Sequence, residues 1–216
     1  MKKLISIFVA ISLLIFVIMF SGCSKRLIKS TIHCDSINFA MKEGDDEEFL
    51  RLVSDKKFNL NQYDALKIFE FFEGIRRTPL QEACYLENPY YVEKLLENGA
   101  DPNYPKLKKE ATDLLPLPLA TGYSIVDLNH TQNAVKIVEM LLEYGADPNV
   151  ILRRGRTCLI DVVNHDSQYY NEYHYEIVRL LVEYGTDISI KDQDGFTAYD
   201  YAVKYNRTEL YDLLKP

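Results

Sequence analysis

The chain has 216 residues, 47% of them apolar or aromatic, with a formal charge of −7, four Cys, 16 Tyr and no Trp. That apolar content is enough for one well-packed unit, either a compact domain or a short solenoid, and it argues against bulk disorder. The acidic balance argues against nucleic acid as a partner, because phosphates require a basic surface.

Met1-Lys2-Lys3 precedes an apolar run from Leu4 to Phe20 that only Ser6 and Ser12 interrupt. A positive start, an apolar centre and small residues afterwards is the layout of an export signal. The run reaches Phe20-Ser21-Gly22-Cys23, which resembles the lipobox of bacterial lipoproteins, with Phe20 where Leu is usual. The resemblance implies that Cys23 receives a diacylglyceryl group, a palmitate-type anchor, and that residues 1–22 are removed. It also implies outer-membrane attachment facing the periplasm, since Ser24 does not resemble the Asp that retains such proteins at the inner membrane. The alternative is an uncleaved membrane anchor, although seventeen residues is at the short end for crossing a bilayer. Lys25 and Arg26 directly after the run do not favour that orientation. Loss of residues 1–22 removes Lys2 and Lys3 and no acid, so the formal charge becomes −9. Residues 23–35 are polar and read as a tether. Cys34, Cys84 and Cys158 remain as thiols, an odd number that leaves at least one outside any intramolecular disulfide. No CxxC occurs, which argues against a thiol-redox enzyme.

From Ser36, the residues Ile37, Ala40 and Met41 recur at helical spacing, Gly44-Asp45 turns the chain, and Phe49, Leu50, Leu52 and Val53 mark a second helix. Asp45-Asp46-Glu47-Glu48 reads as the solvated start of that helix, where negative charge complements the dipole. Gln62–Arg76 follows as an insertion. Its Ile68, Phe69 and Phe72 either cover the adjoining core or form a binding patch, and large exposed apolar patches are uncommon.

Arg77–Asn103 is the best-defined stretch. Thr78 is placed to cap a helix, and Pro79 stands at the first helical position, where its missing N–H costs nothing. Leu80 and Ala83 share a face of that helix. Asn88-Pro89 interrupts it, because the residue before a proline is pushed out of the helical region. Val92, Leu95 and Leu96 form the stripe of a second helix, and Gly99 is placed to end it in the left-handed conformation. This order of residues resembles an ankyrin repeat over the whole segment. The resemblance implies an all-α solenoid of helix-turn-helix repeats joined by β-hairpin-like fingers. Residues 36–61 then look like a degenerate first repeat, with Phe58-Asn59-Leu60-Asn61 where Ala-Asp-Pro-Asn stands later; terminal repeats are expected to be atypical.

The finger Tyr104–Asp113 carries Lys106, Lys108 and Lys109. Repeat three opens at Leu115-Pro116-Leu117 and closes with Gly145-Ala146-Asp147-Pro148-Asn149; its second helix is expected over Ala134–Tyr144. Repeat four runs from Gly155-Arg156-Thr157 to Gly185-Thr186-Asp187, with Cys158 where the family has Pro. Thr78 lies 21 positions before Gly99, whereas Thr157 lies 28 before Gly185 and Leu115 lies 30 before Gly145. The extra residues are expected between the helices, in Thr121–Asn133 and Asn164–Tyr175. Repeat five opens at Asp194-Gly195-Phe196-Thr197 and ends in a short helix, Thr208–Leu214. About five repeats thus fill residues 36–216.

Two groups suggest a binding surface. Tyr169, Tyr170, Tyr173 and Tyr175 crowd the repeat-four insertion, and Tyr offers large contact area at low entropy cost; packing against the neighbouring insertion at Gly122–His130 is the equal alternative. Arg153 and Arg154, with Arg156, make a basic spot on an acidic protein, and Arg suits carboxylates at interfaces. The alternative there is a solvated loop with Arg156 tied to a nearby carboxylate. His165-Asp166, with Asp161 and His174 nearby, is the only dyad that invites a metal or hydrolytic reading, and no established catalytic motif accompanies it. No cofactor is expected. The resemblance implies a non-enzymatic, lipid-anchored module that binds a periplasmic protein, either as an inhibitor or immunity protein or as a stabilising adaptor. The alternative is an enzyme using the His165/Asp166 region.

Overall fold

The computed structural model describes residues 36–57, 59–61, 77–104, 112, 114–122, 128–165 and 170–215, with the backbone alone at 128–131. Cys23 and the export signal, the tether with Cys34, Phe58, the Gln62–Arg76 insertion, the finger lysines Lys106, Lys108 and Lys109, and residues Asp166 and Tyr169 lie outside the described residues. The chain divides into two units, one up to Arg76 and one from Arg77 onward.

In the first unit, α1 (36–43) and α2 (Asp46–Val53) flank a turn at Gly44. Ile37, Ala40, Met41, Phe49, Leu52 and Val53 are buried, whereas Leu50 and Phe39 are exposed. Asp45 caps α2 by accepting the Glu48 amide at 3.0 Å. Asp46, Glu47 and Glu48 then occupy the first turn, where the unpaired amides favour negative charge.

The second unit is a two-layer stack of antiparallel helix pairs. The first helices are α3 (Pro79–Tyr85), α5 (Pro116–Gly122), α7 (Cys158–Val163) and α9 (Ala198–Lys204); the second are α4 (Pro89–Glu97), α6 (Leu128–Glu143), α8 (Glu172–Glu183) and α10 (Tyr211–Leu214). Each first helix packs on its own partner and on the next first helix, and α4, α6 and α8 pack in sequence behind them. Leu80, Ala83, Val92, Leu95, Leu141, Leu159, Ile177, Leu181 and Ala202 fill the space between the layers. Cys84 and Cys158 are buried thiols in this core, and burial pushes the Cys84 pKa up, so that thiol stays protonated and unreactive.

The caps explain where the helices start. Thr78 accepts the Gln81 amide at 3.2 Å while the Gln81 side chain accepts the Thr78 amide at 2.8 Å. Thr157 accepts from Ile160 at 3.3 Å, and Thr197 exchanges the same reciprocal pair with Asp200. Asn88, expected only as a break, also caps α4 by accepting the Tyr90 amide at 3.1 Å, with Pro89 first in the helix. At the other end Gly99, Gly145 and Gly185 have φ of 90°, 86° and 88°. Each is followed by an amide that donates back to the carbonyl five residues earlier: Ala100 to Leu95, Ala146 to Leu141 and Thr186 to Leu181. An L side chain is strained at such φ, which is why glycine recurs there.

One inter-repeat device escapes the sequence pattern. Asn103 donates to the Gly145 carbonyl (2.8 Å) and accepts the Asp147 amide (2.8 Å). Asn149 does the same to Gly185 (3.1 Å) and Asp187 (2.7 Å). The last residue of each Ala-Asp-Pro-Asn run therefore stitches its repeat to the next. Asn149→Ala removes both bonds and is expected to cost about 1–2 kcal/mol, measured as a lower urea midpoint with an unchanged slope.

Two element boundaries differ from the sequence expectation. Helix α6 begins at Leu128, inside the stretch assigned to an insertion, and α8 begins at Glu172, so Tyr173 and Tyr175 are helical rather than looped. Among the described residues there is no strand, and the fingers around Arg154 and Asp194 are tight turns: Leu152 donates to the Arg156 carbonyl and Gly155 back to the Leu152 carbonyl, and Asp192 donates to the Phe196 carbonyl and Gly195 back to the Asp192 carbonyl.

Candidate functional site

The repeat-four finger is built on Leu152, which is buried, and on the short turn Arg153–Gly155. Arg154 takes φ 61° and Gly155 φ 73°. A Cβ on Gly155 would sit 3.4 Å from the Gln193 amide, so glycine lets the next finger approach. That amide donates to the Arg154 carbonyl at 2.8 Å. The Arg154 side chain meets Asp194 at 2.7 Å, with both groups largely in solvent, so the pair aligns two finger tips without contributing much stability. Arg153 is exposed, and Phe196, 44% exposed, stands on the adjoining finger.

Arg156 is the structural member of the basic spot. It donates to Asp161 at 3.0 Å and lies 3.7 Å from the buried Asp192 carboxylate. Asp192 also accepts the Asp194 amide (2.9 Å), the Phe196 amide (3.1 Å) and the Tyr201 hydroxyl (2.6 Å). Burial alone would raise its pKa. The Tyr201 hydroxyl, the two amides and the Arg156 charge outweigh it and hold the carboxyl below its usual range.

The tyrosine group divides. Tyr170 has the Arg207 guanidinium over its ring at 3.8 Å and the His174 ring at 4.8 Å. Burial pushes its pKa up. Arg207, itself buried, donates to the Val163 carbonyl and, at 2.5 Å, to the His165 carbonyl. Tyr170 thus packs against a side chain delivered by repeat five; most of the Gly122–His130 insertion lies outside the described residues. Tyr173 and Tyr175 lie half-buried on the first turn of α8. The two predicted groups do not converge. The arginines lie where α7 begins and the tyrosines beyond where it ends, separated by about 9 Å of helix rise.

His174 is fully buried and closes the N-terminus of α8. Its Nδ1 accepts the Asn171 amide at 3.1 Å, while Asn171 Oδ1 accepts the Tyr173 amide at 3.1 Å. Burial first, and then the His165 and Arg207 charges, push His174 down to about 4. The His165 ring lies 5.7 Å away, and Asp161, the acid one helical turn before His165, is engaged by Arg156. Among the described residues no group of three His, Cys, Asp or Glu is placed to hold a metal ion. The arrangement caps a helix and packs two repeats together.

Several exposed side chains were not singled out from the sequence. Tyr85, Leu86 and Tyr90 are exposed at the turn between α3 and α4, with the Arg77 guanidinium 3.7 Å over the Tyr85 ring. Phe196 and Val203 are exposed on repeat five. A large apolar residue in a finger turn, as in Asp194-Gly195-Phe196, was the one available signal.

The ankyrin repeat family model in three copies matches residues 128–215, and the single-repeat ankyrin model matches residues 76–106. An ankyrin repeat protein of Rickettsia felis is 31% identical over 154 residues, which is 71% of this chain and 58% of the relative. An ankyrin repeat protein of Acanthamoeba polyphaga mimivirus is 31% identical over 121 residues, 54% of this chain and 20% of the relative. The human ankyrin repeat and SOCS box protein 6 is 30% identical over 122 residues, 56% of this chain and 26% of the relative. The chain spans between a fifth and just under three fifths of the length of these relatives.

Proposed function

We propose that this chain, whose residues 76–106 and 128–215 are ankyrin repeats, is a non-enzymatic, lipid-anchored module of a bacterial envelope that holds a protein partner in the periplasm. Ankyrin repeats are protein-binding modules, and the fold alone does not name the partner. The observation that carries the reading is a division of labour on the repeats. Leu152, Gly155 and Arg156 hold the repeat-four finger, which leaves Arg153, Arg154 and the neighbouring Phe196 at the surface. Tyr173 and Tyr175, half-buried on the first turn of α8, supply a second contact area at the far end of the same repeat. The anchor rests on the sequence alone, on Lys2, Lys3, the apolar run and Phe20-Ser21-Gly22-Cys23. The partner is either a toxic effector that the chain neutralises or a resident envelope protein that it stabilises.

The test is a crosslinked capture from detergent-solubilised envelopes, with the partner identified by mass. Wild-type bait is expected to bring down one abundant protein. Bait carrying Arg153→Ser, Arg154→Ser, Tyr173→Ser and Tyr175→Ser is expected to lose it at a nearly unchanged melting temperature. An equal yield from both baits removes these residues from the interface. In the same fractionation Cys23→Ser is expected to release the bait from membranes or to leave an unprocessed precursor; unchanged mass and distribution refute lipidation.

A further inference from the structure

The first turn of α8 is closed by a side chain that acid can change. In the tautomer that keeps its ring proton on Nε2, the His174 Nδ1 accepts the Asn171 amide at 3.1 Å, as the capping arrangement requires; the other tautomer would donate from Nδ1 to Asn171 Oδ1 at 2.9 Å. That Nε2 is buried with no hydrogen-bond partner among the described residues. The charged and titratable groups acting on the ring are His165, from the turn after α7, and Arg207, from the turn after α9. Tyr170 stacks on the ring, with Glu209 and Tyr175 acting in turn on Tyr170. No carboxylate among the described residues is hydrogen-bonded or ion-paired to His174.

We propose that His174 is an acid-operated latch on the first turn of α8. A proton added at Nδ1 ends its service as acceptor for the Asn171 amide. The new N–H turns to Asn171 Oδ1, 2.9 Å away, which already serves the Tyr173 amide. The same proton places a second cation beside Arg207 in a site that water does not reach, with Nε2–H still unpartnered. The turn carrying Tyr170, Tyr173 and Tyr175 opens, while the helix pair of repeat two, α3 and α4, stays folded. On the binding reading above, acid then releases a partner held by those tyrosines.

The sign follows from the direction of the shift. Burial lowers His174 from 6.5 to about 4, so the closed turn is fully favoured above pH 6.5 and loses stability as pH falls toward 4. Between pH 7 and pH 5 the opening equilibrium is expected to rise roughly 20-fold. The test is hydrogen exchange of the full chain, read on peptides spanning 170–176 and referenced to intrinsic exchange at each pH. His174→Gln keeps an acceptor at the third helical position and does not titrate, and its opening is expected to change by less than about twofold. A wild-type turn that stays closed at pH 5, or a Gln variant that opens as the wild type does, overturns the latch. So does a wild-type chain in which α3 and α4 lose protection together with this turn. Titration of the wild-type His174 ring by NMR is a second readout: a midpoint near 6.5 overturns the proposal, and one below about 5 supports it. No partner enters these measurements, so the capture experiment decides the binding reading separately.

Discussion

Leu141→Ala is expected to destabilise the second unit by roughly 2–5 kcal/mol, the largest effect of any single core truncation named for this chain. Leu141 has no exposed surface. It lies on α6, the second helix of repeat three, which packs against α4 on one side, α8 on the other and α5 in front. The void would therefore open where three helices meet, and none of them can collapse into it without shifting a neighbouring repeat. In a stack, a repeat is stabilised by its neighbours, so a weak middle repeat uncouples the ends. A chemical denaturation curve is expected to move to lower denaturant and to broaden. Leu95→Ala, equally buried on α4, is expected to act in the same range but with less broadening, because α4 ends the row of second helices within this unit. A shift below about 1 kcal/mol for Leu141→Ala would mean that the two helix layers are not packed as described.

Arg207→Ala is expected to cost roughly 3 kcal/mol and to act at a distance in sequence. The buried guanidinium donates to two carbonyls of the preceding repeat, those of Val163 and His165, and covers the Tyr170 ring. Its loss leaves those carbonyls without their donor and uncovers Tyr170, at the start of the segment that precedes α8. Besides a lower melting temperature, the variant is expected to be cut by chymotrypsin after Tyr170 at a rate well above wild type. Arg207→Lys is expected to recover only part of the loss, since an ammonium cannot reach two carbonyls with a planar fork. Protection of Tyr170 equal to wild type in both variants would show that repeat five does not hold this turn.

Much of the fold was legible from local chemistry. Thr78-Pro79 announces a helix start, because the hydroxyl and the fixed proline φ each satisfy a first-turn requirement by themselves. Gly99, Gly145 and Gly185 announce helix ends because the left-handed conformation admits little else. Val92, Leu95 and Leu96 are spaced for one apolar face, and all are buried. Asn171 was different. An Asn followed at the third position by His is a weak capping pattern, so residues 172–175 read as insertion when they are the first turn of a helix. Asn103 and Asn149 stood in the sequence only as the last residues of a repeat-closing run, and their side-chain amides tie one repeat to the next.

The candidate site was legible only as residue types. Arg153, Arg154 and Arg156 read as one basic spot, with a tie between Arg156 and a nearby carboxylate as the alternative; the structure shows that tie, to Asp161, for Arg156. Whether a tyrosine is offered or enclosed depends on what arrives beside it from another repeat. Tyr170 is enclosed because Arg207 reaches back across it, and His174 is buried because Tyr170 and His165 close over it. By itself the sequence determined the helix-pair repeat, its caps and its apolar faces, since each depends on residues within one or two turns of each other. Only the tertiary structure decided that the arginines and tyrosines stand at opposite ends of α7 and that one histidine caps α8 from a buried position. Those outcomes depend on contacts between repeats, and a local pattern carries no record of them.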